Sequence, residues 1–477
     1  MALRAKSLAC AARHGLRSRA QARLSPAGIA ITRGRQHAQL SCLLQNRMST
    51  VDELTLSRLL PRLVRTGDGW TANWRSITLH SVFQPVLSIT HQRIVGYEAL
   101  LRATDSSGNP VTPDALFSQA QVHANAPILD RLSRCLHVAN FVEQKIDSCW
   151  LFLNALPQVF ETQWPHRAFI DELSAHFGLP RERIVIELLE QPAGDEEAVA
   201  RTLAATRPRD FLIAIDDFGT GFSNFDRVWR LRPDIVKLDR SLIARAGKRE
   251  GDESLMTHLI AMLHQAGTLV LAEGVETDDE LMILMQADVD FVQGYWFGKP
   301  QASVREAGAG APELIDSMWH KYAAYDRANT RHQQLGFEAY AEAVRAGARV
   351  YSATRDLAQA AEHVFAVSEA RRIFVLNAHG LQEQASVTAK DLGPPPKRLA
   401  PLFPDTHNNW SRRAYFRHAL TTPGRVALMG PHYSLTEGED CYTAAITIDS
   451  VDGSGGPDVF CADFLPDRPD RARGTKR

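Results

Sequence analysis

Cysteine is scarce in this 477-residue chain, and none of Cys10, Cys42, Cys135, Cys149, Cys441 and Cys461 sits in a Cys-x-x-Cys pair. That excludes a zinc ribbon or dithiol redox motif. The simplest compartment is the reducing cytoplasm. Long apolar runs are also missing. No stretch approaches the roughly 20 residues that a membrane span requires; the best, Thr268 to Ala272, is strand-sized. Neither charge dominates, because 54 Lys+Arg stand against 55 Asp+Glu. Such balance argues against electrostatic binding of DNA or an anionic membrane. The 17 histidines include no His-x-x-x-His pair of the zincin kind.

Acidic residues are absent before Asp52, whereas arginines are frequent there (Arg4, Arg13, Arg17, Arg19, Arg23, Arg33, Arg35 and Arg47). Two readings stand for residues 1–50. One is a disordered or mis-assigned extension, with translation starting at Met48. The other is an organellar transit peptide, whose composition it shares. The whole chain is 44% hydrophobic and 23% charged, the mix of a soluble globular protein, and it is long enough for two domains.

Residues 51–78 read as a helical lead-in, with Leu56, Leu59, Leu60 and Leu63 near helical spacing and Pro61 ending it. Gly67 to Ser76 reads as a polar link. Over 79–305, short apolar runs alternate with longer amphipathic stretches. The runs include Val82-Phe83-Gln84-Pro85-Val86, Trp150-Leu151-Phe152-Leu153, Ile184-Val185-Ile186, Ile235-Val236-Lys237-Leu238 and Leu269-Val270-Leu271. Near-continuous apolar strands separated by helices predict an α/β fold of the (β/α)8 barrel type. A connecting helix is expected over 312–348, with Leu314, Met318, Tyr322 and Tyr325 on one face. Residues 349–467 read as a strand-rich α+β domain with an antiparallel sheet. Residues 468–477 read as a mobile tail.

In such a barrel the active site lies at the carboxyl ends of the strands. The polar residues closing the apolar runs are Glu98, Asn154, Glu187, Asp216 with Asp217, Lys237, Glu273 and Gln293. Any one of them alone reads as a helix cap or a solvated residue. Together they deliver carboxylates, amides and one ammonium to a single rim. Converging carboxylates repel one another, and divalent cations resolve that repulsion. Hard oxygen donors suit magnesium or manganese better than zinc.

These residues carry a resemblance. Glu98-Ala99-Leu100, Leu153-Asn154, Glu187-Leu188-Leu189-Glu190, Asp216-Asp217-Phe218-Gly219-Thr220-Gly221, Lys237-Leu238-Asp239, Glu273-Gly274-Val275-Glu276 and Gln293-Gly294-Tyr295 resemble, in order, the blocks of the EAL family of cyclic-di-GMP phosphodiesterases. The resemblance implies a TIM-like barrel whose first strand is antiparallel, and hydrolysis of cyclic-di-GMP to linear pGpG. It implies a two-metal site of Mg2+ or Mn2+ held by Glu98, Asn154, Glu187, Asp216, Asp217 and Glu273. Lys237, Glu273 and Glu98 would act in catalysis, with Lys237 orienting the attacking water or, its pKa lowered by the cations, taking its proton. Arg102, Gln293 and Gln84 would bind substrate. Glu190 would support the loop after Asp217, which would link metal binding to the interface of a homodimer formed through the barrel. Leu189 departs from the usual Thr, and Phe222 and Asn224 from the usual Tyr and Ser.

Residues 337–464 resemble PAS-like domains of the Cache type, on Arg372-Ile373-Phe374-Val375-Leu376-Asn377, Asn409-Trp410-Ser411-Arg412-Arg413-Ala414-Tyr415-Phe416 and Val459-Phe460-Cys461-Ala462-Asp463. This implies a sensory domain with a small-ligand pocket at Arg413, Tyr415, Tyr433 and Asp463. Tyr415 and Tyr433 read equally as core aromatics. The competing function is a catalytically weak cyclic-di-GMP receptor signalling through protein contacts. The complete ligand set argues for the enzyme.

Overall fold

A computed structural model of the protein describes residues 54–67, 69–122, 125–157, 160, 166–189, 196–205, 211–220, 225–247, 252–390, 405–434, 440–450 and 456–466. Residues 1–50, Glu190, Gly221, Phe222, Asn224, the tail 468–477 and the side chain of Tyr433 lie outside the described residues. The chain divides into two compact units, Met1–His320 and Lys321–Arg477.

In the first unit, eight strands close into a barrel. In chain order they are β3 (Ile77–Ser88), β4 (Arg93–Thr104), β6 (Trp150–Ala155), β7 (Ile184–Leu188), β8 (Leu212–Phe218), β9 (Ile235–Leu238), β10 (Leu269–Ala272) and β11 (Phe291–Val292). β3 runs antiparallel to both its neighbours, β4 and β11, and the other neighbours pair in parallel. The first strand of the barrel is therefore reversed.

The barrel does not begin as the sequence pattern suggested. Among the described residues of the lead-in only Leu56–Leu59 is α-helical, followed by a short 3-10 turn. The expected polar link is instead a hairpin, β1 (Leu63–Thr66) and β2 (Gly69–Trp74), which extends the sheet from β3. Its aromatics explain the difference. Trp74 is buried, Trp70 lies under the Arg65 guanidinium, and aromatic residues favour a pleated, half-buried surface.

One layer of the barrel interior is a floor of Val86, Phe152, Val185, Ala214, Ile235, Leu271 and Phe291. Residues two apart on a strand face the same way. In the parallel strands the residues two further on are therefore Asn154, Glu187, Asp216, Lys237, Glu273 and Gln293. In reversed β3 the corresponding step runs backward, from Val86 to Gln84. On β4 the floor position beneath Glu98 is Gly96, where a Cβ would lie 2.6 Å from the Phe152 ring. Glycine there makes room for that ring.

A 44-residue helix, Ala311–Thr354, spans the boundary between the units. It is longer than the expected 312–348, and its buried face in the first unit is also different. Ala311, Ile315 and Met318 are buried, whereas Leu314 and Tyr325 are exposed. Trp319 Nε1 donates to the Ile89 carbonyl at 2.8 Å.

The second unit is built on a five-stranded antiparallel sheet. Its order is β14 (Val387–Thr388), β12 (Ala370–Leu376), β18 (Asp458–Phe464), β17 (Asp440–Ile448) and β16 (Ala427–Tyr433). One face packs on the helical residues Tyr340, Val344, Ala348, Tyr351 and Leu357. The other packs on Tyr415, Phe416 and Ala419 of the helix Ala414–Thr421.

Candidate active site

The strand-end residues meet around one buried ammonium. Lys237 Nζ lies 2.6 Å from Glu273 Oε1, 2.7 Å from Glu187 Oε1, 3.0 Å from Asp216 Oδ1 and 3.7 Å from Glu98 Oε1. Lys237 and Glu187 are almost fully buried, at 1% and 0% exposure, so solvent screens these contacts little. Around Glu98, Asn154 Nδ2 donates to Oε1 at 3.1 Å and Gln293 Nε2 to Oε2 at 2.8 Å. Gln293 Nε2 also reaches Gln84 Oε1 at 3.2 Å. The structure thus brings together Gln84, Glu98, Asn154, Glu187, Asp216, Lys237, Glu273 and Gln293. Glu187 Oε2 and Gln293 Oε1 are buried there without a hydrogen-bond partner.

Asp216 and Asp217 would face opposite sides of a regular strand. Here β8 and β9 slip in register between Ile215 and Phe218, a bulge, and Asp217 takes a left-handed backbone with φ of 53°. Aspartate tolerates this region better than most residues. As a result, oxygen atoms of Asp216, Asp217 and Glu273 all lie within 4.8 Å of one another, a grouping that could hold a metal ion.

The centre has more carboxylates than its one lysine can neutralise. Burial raises the Glu187 carboxyl, and the Glu98 charge raises it further. Burial likewise pushes Glu273 up to about 8, against the pull of Lys237. Burial also acts to raise Glu98, but Lys237 and the hydrogen bonds from Gln293 and Asn154 outweigh it, and its pKa falls. For Lys237 burial acts to lower the pKa, and the surrounding carboxylates, Asp216 first, overcome it and raise it strongly. The carboxylates thus hold the lysine as an ammonium. The donor set of carboxylates and an amide, in excess negative charge, fits a hard divalent cation.

Other expected residues are placed differently. Arg102 is exposed, on the same face of β4 as Glu98 and about 13 Å further along the strand; its Nη1 donates to the Leu101 carbonyl at 2.9 Å. In the second unit, Tyr415 lies within electrostatic reach of both Asp463 and Arg413. Asp463 is buried and accepts from Arg372 at 2.7 and 3.0 Å and from Thr443 at 2.7 Å. Its cationic partner is thus Arg372, while Arg413 precedes the helix Ala414–Thr421, its guanidinium 5.8 Å from the Trp410 ring centre. Tyr415 is a core aromatic packed with Phe374 and Phe416.

Sequence reasoning passed over His137, which is buried with Nδ1 2.8 Å from Ser81 Oγ and feels the Glu98 charge. No periodicity marks it, because nearly every face of the helix Ala126–Glu143 is buried. Gly96 did carry a signal, since glycine inside a strand marks a close approach.

The fold and this centre define a class: an α/β barrel with a buried, cation-ready carboxylate site at the carboxyl ends of its strands. Comparison with known proteins places the barrel within it. Residues 72–300 match the family model described as EAL domain. An uncharacterized protein of Azorhizobium caulinodans is 31% identical over 241 residues, covering 47% of this chain and 31% of that protein. PdeD of Escherichia coli, named a probable cyclic di-GMP phosphodiesterase, is 26% identical over 221 residues, covering 46% of this chain and 40% of its own length. The chain spans less than half the length of these curated relatives. Among solved structures, the YkuI protein of Bacillus subtilis, with an EAL domain and in complex with c-di-GMP and calcium, aligns at a TM-score of 0.66 with 19% identity. The alignment covers 81% of this chain and 96% of that one. Residues 72–300 thus resemble EAL domains, and the curated relatives over this span include three Escherichia coli proteins named probable cyclic di-GMP phosphodiesterases.

Proposed function

We propose that this chain hydrolyses cyclic-di-GMP to linear pGpG with two divalent cations, magnesium or manganese, and that its C-terminal unit regulates the reaction. The observation that carries the catalytic reading is the convergence of four carboxylates, from four strands, on one buried lysine, with Asp217 beside two of them. Glu98, Asn154, Glu187, Asp216, Asp217 and Glu273 would hold the cations. Bound there, the cations would activate water and neutralise charge on the phosphoryl oxygens.

The protein's own groups do the rest. Gln293 and Asn154 fix the Glu98 carboxylate, and Gln84 fixes Gln293 in turn. Lys237, with three donors, orients the attacking water against the phosphorus and steadies the charge that develops. The exposed guanidinium of Arg102 is suited to a substrate phosphate. The regulatory reading rests on the antiparallel sheet of the second unit, with helices packed on both faces, which supports a PAS-like sensory domain taking a small ligand. A homodimer through the barrel belongs to the same reading.

Incubation of the full chain with cyclic-di-GMP and Mg2+, Mn2+ or EDTA tests it. pGpG should appear with either metal and not with EDTA. Product in EDTA, or none with both metals, overturns the proposal.

A further inference from the structure

Arg227 lies outside every motif discussed above, yet it is one of the few deeply buried cations in the barrel unit, 3% exposed. It sits on the helix Phe225–Leu231, which follows strand β8 with its two aspartates. Its Nη2 donates to the backbone carbonyl of Leu189 at 3.0 Å. Leu189 immediately follows β7, whose Glu187 faces Lys237. Leu189 also touches the next strand over, its N–H reaching the Ala155 carbonyl at 3.4 Å, one residue past Asn154.

We infer that Arg227 is a positioning residue for the metal centre. It ties the helix after Asp216 and Asp217 to the end of the strand that carries Glu187. The inference rests on the metal-dependent reading above. Leucine at 189 offers no polar side chain with which to hold this strand end. The backbone carbonyl is the remaining handle, and a guanidinium is suited to it because its donors are fixed in a plane. Burying a cation is costly unless it is hydrogen-bonded, so a buried arginine placed here has a structural task. A carboxylate set works as a cation site only if its oxygens are held at the right separation, and the supporting contacts of ligands typically govern affinity by about 10- to 100-fold. Arg227 acts on that separation without touching substrate or metal.

The test uses the full chain as wild type, Arg227→Met and Arg227→Lys. Mn2+ affinity is measured by calorimetry, without substrate, and turnover of cyclic-di-GMP at limiting and saturating Mn2+. Arg227→Met should bind Mn2+ about tenfold more weakly, and should recover turnover to within about threefold of wild type when the metal saturates. Arg227→Lys, which keeps a donor and the charge, should fall between the two. A purely structural arginine would lower the melting temperature without moving Mn2+ affinity, and that result overturns the inference. Loss of turnover at saturating metal with unchanged affinity overturns it as well. If Arg227→Met does not fold, Arg227→Lys decides by the same affinity measurement. Failure of the phosphodiesterase reading shows separately, as wild type that binds Mn2+ but yields no pGpG.

Discussion

Lys237 is where the charges of the centre balance. Its ammonium holds together carboxylates that would otherwise repel one another, and in the proposed reaction it also orients water. Those two tasks make a distinctive variant. Lys237→Met should lose turnover by several orders of magnitude, the loss expected when a group acts mainly in the transition state. Its Mn2+ affinity should be kept or raised, because the competing cation has gone. Weaker Mn2+ binding, measured by calorimetry, would instead make the lysine a scaffold. Glu98→Ala should show the opposite profile, with metal affinity and turnover falling together as a metal ligand is lost. Full turnover by that variant at low metal would remove Glu98 from the ligand set. His137 sets a pH response of its own. Burial holds its pKa down to about 3 from an ordinary 6.5, against a small upward pull from Glu98. The unfolded chain therefore takes up a proton that the folded one refuses. The stability present above pH 6.5 is lost as pH falls from there toward 3, by up to roughly 1.4 kcal/mol per pH unit. In His137→Gln the urea midpoint should fall less steeply between pH 6.5 and 4.5; an unchanged slope would assign the acid sensitivity elsewhere.

The strands show how far a pattern reaches. The alternation of a strand was enough to pair each floor residue with the site residue two positions on, because side chains repeat every second position. It did not tell which residue would break the rule. At β8 the bulge at Asp217 lets adjacent aspartates serve one centre. Asp217→Asn should keep the fold while weakening metal binding. Asp217→Val should also lower the melting temperature, because a β-branched residue is strained in the left-handed region. Equal melting temperatures for the two would contradict the backbone assignment. Gly96 is a second exception. Gly96→Val would push on Phe152 within the floor layer, a destabilisation of roughly 1–3 kcal/mol from overpacking, readable by denaturant titration. The hairpin of residues 63–74 was illegible for a different reason. Leucines at helical spacing look the same whether a helix continues or a tight turn leads into an edge strand.

At the scale of the whole molecule, the helix Ala311–Thr354 decides where the chain can be cut. Ile315 and Met318 are buried in the first unit and Trp319 bonds to Ile89. A version ending at Gly308 loses two buried side chains, each worth about 1.5–3 kcal/mol, and should melt well below one ending at His320. The longer version should keep metal-dependent turnover. Comparing it with the full chain at limiting metal tests regulation, which would be absent if the two curves coincide. No helix among the described residues is long and apolar enough to cross a membrane. The sequence by itself determined the barrel class and the polar residues that close its parallel strands, because burial on both faces and a fixed rim leave few alternatives. Only the tertiary structure decided which groups share charge and which serve elsewhere. It put one ammonium among four carboxylates, paired Asp463 with Arg372, and set Arg227 against Leu189. Such pairings depend on distances between residues far apart in the chain, and no local pattern encodes them.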